Sequence, residues 1–280
     1  MALDTSKIGT TYPERDATIE AERAKAYAAA TNDDNPAYTS GKFAPPVFGV
    51  VPAWEAMGLA VGDIVPPEAL MMVVHGEQDM HFHQPLVPGM TLTTRAETFS
   101  IRVGSSGTRL AVRVTSDDAD GKPVMEQYIT TFIRGMADGE SAGAEKPDHT
   151  FPEEARANKV GELSVHVDDD QTYRYRDASG DMMPIHVDDA FAKSVGLPGI
   201  IAHGLCTMAM TSQAVVRTVC DGDPSRLKRL AVRFAKNVFP GNDVLTEIYD
   251  AGERDGRKAY AFEATSGGDK VIANGWAEVS

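Results

Sequence analysis

YAAATNDDNPAY, from Tyr27 to Tyr38, and YRDASGDMMPIH, from Tyr175 to His186, read as two versions of one segment. At an offset of 148, Tyr27 meets Tyr175, Ala30 meets Ala178, Asp33 meets Asp181 and Pro36 meets Pro184; Phe43 then meets Phe191. After a four-residue insertion the offset becomes 152, and Pro46 meets Pro198, Phe82 meets Phe234, and Pro88-Gly89 meets Pro240-Gly241. Such identities are few, but their order and constant offset point to a tandem duplication.

Working outward, each copy has the same order of elements. A short helix comes first (Ile19 to Ala30; Asp168 to Ala178, with Asp168 as its N-cap), then a motif loop, a mostly apolar helix and a run of strands. The second apolar helix is expected from about His203 to Val219. Leu205, Met208, Met210, Ala214, Val215 and Val219 leave it almost no polar face, so it should be buried all round. Leu230, Val232 and Phe234 alternate as one face of a strand. Gly104-Ser105-Ser106-Gly107, Asp120-Gly121, Asp255-Gly256 and Ser266-Gly267-Gly268-Asp269 mark hairpin turns. The fold expected is α+β: two tandem repeats, each a bent antiparallel sheet wrapped on a helix, packed as an internal dimer. The expected boundaries are residues 1–135, an exposed linker at 136–159 rich in Gly, Ala, Pro and charge, and residues 160–280.

Composition narrows the function. The chain has 280 residues, 42% hydrophobic, 24% charged, with a formal net charge of -14. Such an acidic protein is repelled by nucleic acid and by anionic membrane surfaces. Two cysteines, Cys206 and Cys220, are too few for a disulfide framework, and reduced thiols in the cytoplasm are expected. The polar N-terminus does not read as a signal peptide, and Pro52 and Glu55 interrupt the most apolar stretch, so no membrane span is expected. Without a Walker A loop, a dinucleotide glycine fingerprint, a CxxC pair or a GxSxG elbow, no cofactor is expected.

The chemistry concentrates in Ser179-Gly180-Asp181-Met182-Met183-Pro184-Ile185-His186 and, downstream, in Gly199-Ile200-Ile201-Ala202-His203-Gly204-Leu205. Gly180 permits a tight turn and Pro184 stiffens the loop, so Asp181 and His186 can share one small space. An Asp beside a His orients and polarises it, and the pair can hold one water and move its proton. Gly204 opens the buried helix, and its N–H can face a carbonyl oxygen that gains charge. The expected catalytic set is therefore Asp181, His186 and Gly204.

This pattern resembles the MaoC-like, (R)-specific enoyl-CoA hydratase/dehydratase family of double hot-dog proteins: Gly-Asp-x-Asn-Pro-hydrophobic-His, then His-Gly-Leu. VHGEQ (Val74 to Gln78) and VRFAKNVFPG (Val232 to Gly241) are also similar to the family. The resemblance implies syn addition of water to a trans-2-enoyl thioester, with acid/base roles for Asp181 and His186. The substrate would be an acyl-CoA or an acyl carrier protein thioester. Met183 departs from the pattern, because the family's Asn at that position helps hold the water, and Met cannot donate a hydrogen bond.

The duplication predicts a single active site. The first copy has Tyr38 at the position of His186 and Pro52 at that of Gly204, and retains only Asp33. That half is expected to bind the acyl tail, along Phe43 to Gly62. Arg229, Arg233 and Lys236, with Lys228, form a basic run that could neutralise CoA phosphates. With His203 they make up the expected substrate-binding set. His75, His81 and His83 are read as packing residues, and no metal site is expected. A hot-dog thioesterase and a non-catalytic acyl-thioester binder are the rival functions. Two copies of the chain could pair as a homodimer.

Overall fold

The computed structural model describes all 280 residues. In the first half β1 (Arg15–Thr18) leads to helix α1 (Ala21–Ala30), a short α2 (Pro36–Thr39), α3 (Trp54–Ile64) and strands β2 (Val73–Phe82), β3 (Thr91–Gly104), β4 (Gly107–Asp117) and β5 (Pro123–Arg134). A two-residue β6 (Ala142–Gly143) lies on the edge of β3. The second half runs β7 (Lys159–His166), α4 (Gln171–Ser179), α5 (Asp189–Ser194), α6 (Gly204–Val219), β8 (Leu227–Phe234), β9 (Asp243–Arg254), β10 (Arg257–Ser266) and β11 (Asp269–Val279).

The strands form one antiparallel sheet, in the order β1-β3-β4-β5-β2-β8-β11-β10-β9-β7. The order is palindromic about the β2/β8 seam, as two copies of one unit joined edge to edge require. At that seam Asp79 pairs with Ala231, so residues at the sequence offset of 152 meet across the pseudo-two-fold axis. Tyr27 and Tyr175, at the offset of 148, also meet there: their hydroxyls are 2.9 Å apart. This is the double hot-dog expected.

The hairpins form where turn chemistry placed them. Asp255 and Gly256 adopt φ of 51° and 75° between β9 and β10. That left-handed pair suits the right-handed twist of the strands, and Gly supplies it without steric cost. Helix α6 is buried from Leu205 to Val216 and lies within the large core, against the turn Pro46–Val50 of the other half. Helix α3 buries one face only, through Ala56, Ala60 and Ile64, on β3 and β4.

Two local expectations change. Asp168 is not the N-cap of α4; Asp170 holds that position, and the Asp168 carboxylate instead pairs with Arg174 and accepts from Asn32 at 3.1 Å. The segment 136–159 is not wholly exposed. Met136, His149, Phe151 and Ala155 are buried, and Lys146 and His149 reach Glu77 on β2. Isolated apolar residues in a polar segment suffice to press it onto the outer face of the sheet.

Candidate active site

Helix α4 ends because Gly180 takes φ 85°, a left-handed cap that turns the chain away at little cost. The first half supports this end. Arg23 on α1 donates to the carbonyls of Ala178 and Ser179, both at 2.9 Å. The reverse also holds, since Gln171 and Arg174 on α4 donate to the carbonyls of Ala30 and Ala29. Arg23 was not picked out by the sequence, since nothing near it names a partner 155 residues away.

Beyond Gly180 the loop is fixed by its own side chains. The Asp181 amide donates to Ser179 Oγ at 3.1 Å, and the Met183 amide donates to Asp181 Oδ1 at 3.1 Å. Asp181 is thus held by one oxygen while the other stays uncommitted. The strap leading into α6 brings in the rest: Ile201 N–H donates to the Ile185 carbonyl at 3.3 Å, and Ala202 N–H to Val238 at 2.8 Å. This strap is what brings His186 and His203 together.

His186 is buried, and its Nδ1 lies 2.8 Å from the Ile201 carbonyl. A carbonyl only accepts, so Nδ1 carries the proton and Nε2 keeps its lone pair. Burial lowers the affinity of His186 for a second proton, partly offset by that hydrogen bond and by the Asp181 charge. The resting imidazole is therefore a neutral base. His203 stacks on it, ring centroids 3.8 Å apart and planes 27° apart. Burial and the neighbouring His186 push the His203 pKa down to about 3. Its Nε2 is 3.3 Å from the Asp181 carbonyl.

One donor atom from each of Asp181, His186 and His203 lies within 4.8 Å of the other two. Groups this close can share one small bound species such as a water. Gly204 opens α6 immediately beyond His203, and as the first helical residue its N–H has no acceptor within the helix.

The remaining expected residues separate. Arg229 does not face a ligand. It is buried, donating to both oxygens of Asp79 at 3.0 and 2.8 Å and to Glu278 at 3.2 Å. Its assignment to CoA phosphates is corrected: three buried charges satisfy one another at the seam. Arg233 and Lys236 are exposed, Lys236 with its Nζ 3.5 Å from Asp269. His75 packs edge-on to Phe234, centroids 5.0 Å apart; His81 lies 3.2 Å from Asp79; His83 is exposed. Cys206 and Cys220 are free and buried, and burial pushes both thiols up to about 12.

Residues 152–271 match the family model of the MaoC like domain, and residues 6–127 match that of the FAS1-like dehydratase domain region. The chain thus has the double hot-dog fold, and its residues 152–271 are similar to the MaoC like domain. It is 34% identical over 182 residues to a probable enoyl-CoA hydratase 2 of Dictyostelium discoideum, covering 64% of this chain and 61% of that protein. To 3-hydroxyacyl-thioester dehydratase Y of Mycobacterium tuberculosis it is 32% identical over 187 residues, covering 65% and 62%. The chain thus spans about three fifths of these two relatives. A solved MaoC-like dehydratase from Phytophthora capsici superposes with a TM-score of 0.88 at 26% identity, over 99% of this chain and 98% of that one.

Proposed function

We propose that the protein is an (R)-specific hydratase/dehydratase of enoyl thioesters, with its single active site in the second half. The observation that carries this is the His186 tautomer: a buried, neutral imidazole with a free Nε2 beside an uncommitted Asp181 oxygen. In the hydration direction a water rests between them. As its oxygen bonds to C3 of the enoyl group, His186 Nε2 takes one of its protons. The double-bond electrons move to C2 and the thioester oxygen, where the Gly204 N–H meets the growing charge. The enolate then takes a proton at C2 from the imidazolium, which restores the neutral base. Hydrogen and hydroxyl both come from water, and no group beyond the thioester is consumed.

The acyl tail lies along Phe43 to Gly62, where Trp54, Met57, Leu59 and Val61 keep partly open apolar surface. The exposed Arg233 and Lys236 are the cations left for phosphates of a CoA carrier. The two reduced thiols fit a reducing compartment such as the cytoplasm.

Crotonyl-CoA or a longer enoyl-CoA should lose its enoyl-thioester absorbance in the presence of the protein. Asp181→Asn and His186→Ala should each cut that rate by about 10²–10⁴-fold with unchanged circular dichroism. Full activity in either variant removes the assignment. Release of free thiol without loss of the conjugated double bond would make the protein a thioesterase instead.

A further inference from the structure

The loop that carries Asp181 lacks one main-chain tie that its counterpart has. In the first half the Asp33 amide returns to the Ala28 carbonyl at 2.9 Å, a bond back into α1. In the second half the matching Asp181 amide reaches only as far as Ser179 Oγ, at 3.1 Å. The active loop therefore takes its position from the last residues of α4 and not from the body of that helix.

Those last residues are held from the other half. Arg23 on α1 donates through Nε to the Ala178 carbonyl and through Nη2 to the Ser179 carbonyl, both at 2.9 Å. The two bonds fix the two peptide planes that lead into the turn. Ser179 Oγ then fixes the Asp181 amide, and Asp181 Oδ1 fixes the Met183 amide. Gly180 makes room for the guanidinium, since a Cβ there would stand 3.0 Å from Arg23 Nη2. Charge adds to geometry. The carbonyl end of α4 is the negative end of its dipole, and the Asp181 carboxylate follows two residues beyond Ser179. A cation at this point offsets both. Arg174, the other arginine between α1 and α4, is already paired with Asp168 and Asp170, whereas both hydrogen bonds of Arg23 go to main-chain carbonyls.

We infer that Arg23 is a positioning residue for the reaction, supplied by the first half to set the Asp181 carboxylate against His186 in the second. This rests on the hydratase reading above. Arg23 acts through the end of α4 and touches no reacting atom. The duplication supplies a control: at the offset of 148 its counterpart is Gln171, which donates to the Ala30 carbonyl at the end of α1. The two clasps are alike, and only one leads to a working loop. Arg23 is exposed, so Arg23→Met should fold with unchanged circular dichroism. Its kcat should fall about 10- to 100-fold with KM for the enoyl thioester within about threefold, because a catalytic group misplaced by about 1 Å costs on this order. Arg23→Lys, which keeps the charge and a donor, should recover most of that loss. Gln171→Met removes the matching clasp from the silent loop; it should lower the denaturant midpoint while kcat per folded molecule stays near that of wild type. A fully active Arg23→Met overturns the inference, and so does the absence of any recovery in Arg23→Lys. A rise in KM at unchanged kcat would make Arg23 a substrate contact instead, and equal losses of kcat in Arg23→Met and Gln171→Met would make both residues structural clasps only; either result overturns it too. All four are read against an active wild type and leave the hydratase reading standing. A wild type inactive on every chain length sinks that reading and the inference with it.

Discussion

The two halves share a fold and differ in what they do with it. In the second, α6 is buried on all sides, and its first turn adjoins the Asp181, His186 and His203 cluster. In the first, α3 buries one face, Pro52 takes the place of Gly204, and Tyr38 that of His186. The loops themselves are nearly alike, each with an aspartate Oδ1 capping the amide two residues on. The loop geometry is therefore a property of the fold, kept for stability whether or not chemistry occurs. What separates the halves is whether the loop ends in an imidazole and whether the helix beyond begins with a free N–H. The first-half loop has become a clasp: Asn35 holds Gly222, and Arg217 on α6 lies 3.6 Å from Asp33.

The largest test of this contrast makes the second half resemble the first. Gly204→Pro removes one N–H and adds a ring whose Cβ meets the Phe234 side chain at 3.4 Å, an ordinary contact. Proline is favoured at the first position of a helix, and His203 already has φ -60° and ψ 135°, which a following proline accepts. The melting temperature should stay near that of wild type, while kcat falls by about 10²–10³-fold. Unchanged turnover in a folded Gly204→Pro protein would mean that the carbonyl is held elsewhere and that Pro52 does not explain the silence of the first half.

The second test concerns the seam between the halves. Arg229→Ala strands Asp79 without its cation in a buried site, while Glu278 keeps Arg257 at 3.5 Å, a loss of about 3–5 kcal/mol, readable from the denaturant midpoint. Turnover per folded molecule should be little affected. A rise in KM for CoA substrates without destabilisation would restore Arg229 to the phosphate site.

That residue also marks the limit of the sequence. The duplication, the hairpins and the Asp181/His186 motif were legible because each is written in local spacing or in a repeat. Lys228, Arg229 and Arg233 looked like one basic run, because sequence lists neighbours along a strand and not across it. Asp79, the partner of Arg229, is 150 residues away on β2. The alternation of β8 separates exposed Arg233 from the buried face of Leu230 and Val232, but it could not reveal that an acidic pocket covers Arg229. His203 was legible as part of the motif. That its buried Nδ1 meets no partner was not, since an unmet hydrogen bond depends on everything that packs around it.

The smallest expected effect probes the first half alone. Tyr38 is the counterpart of His186, yet its hydroxyl is buried and meets no partner. Burial pushes its pKa well above the usual phenol value, so it neither gives nor receives a proton near neutral pH. An unsatisfied buried hydroxyl costs stability that its removal returns, so Tyr38→Phe should be neutral or stabilising by about 1 kcal/mol, with kcat unchanged. His186→Phe, the matching change in the other copy, should abolish turnover. If Tyr38→Phe slows the reaction, the first half takes part in the chemistry, and the division of labour between the copies fails at the residue that most plainly separates them.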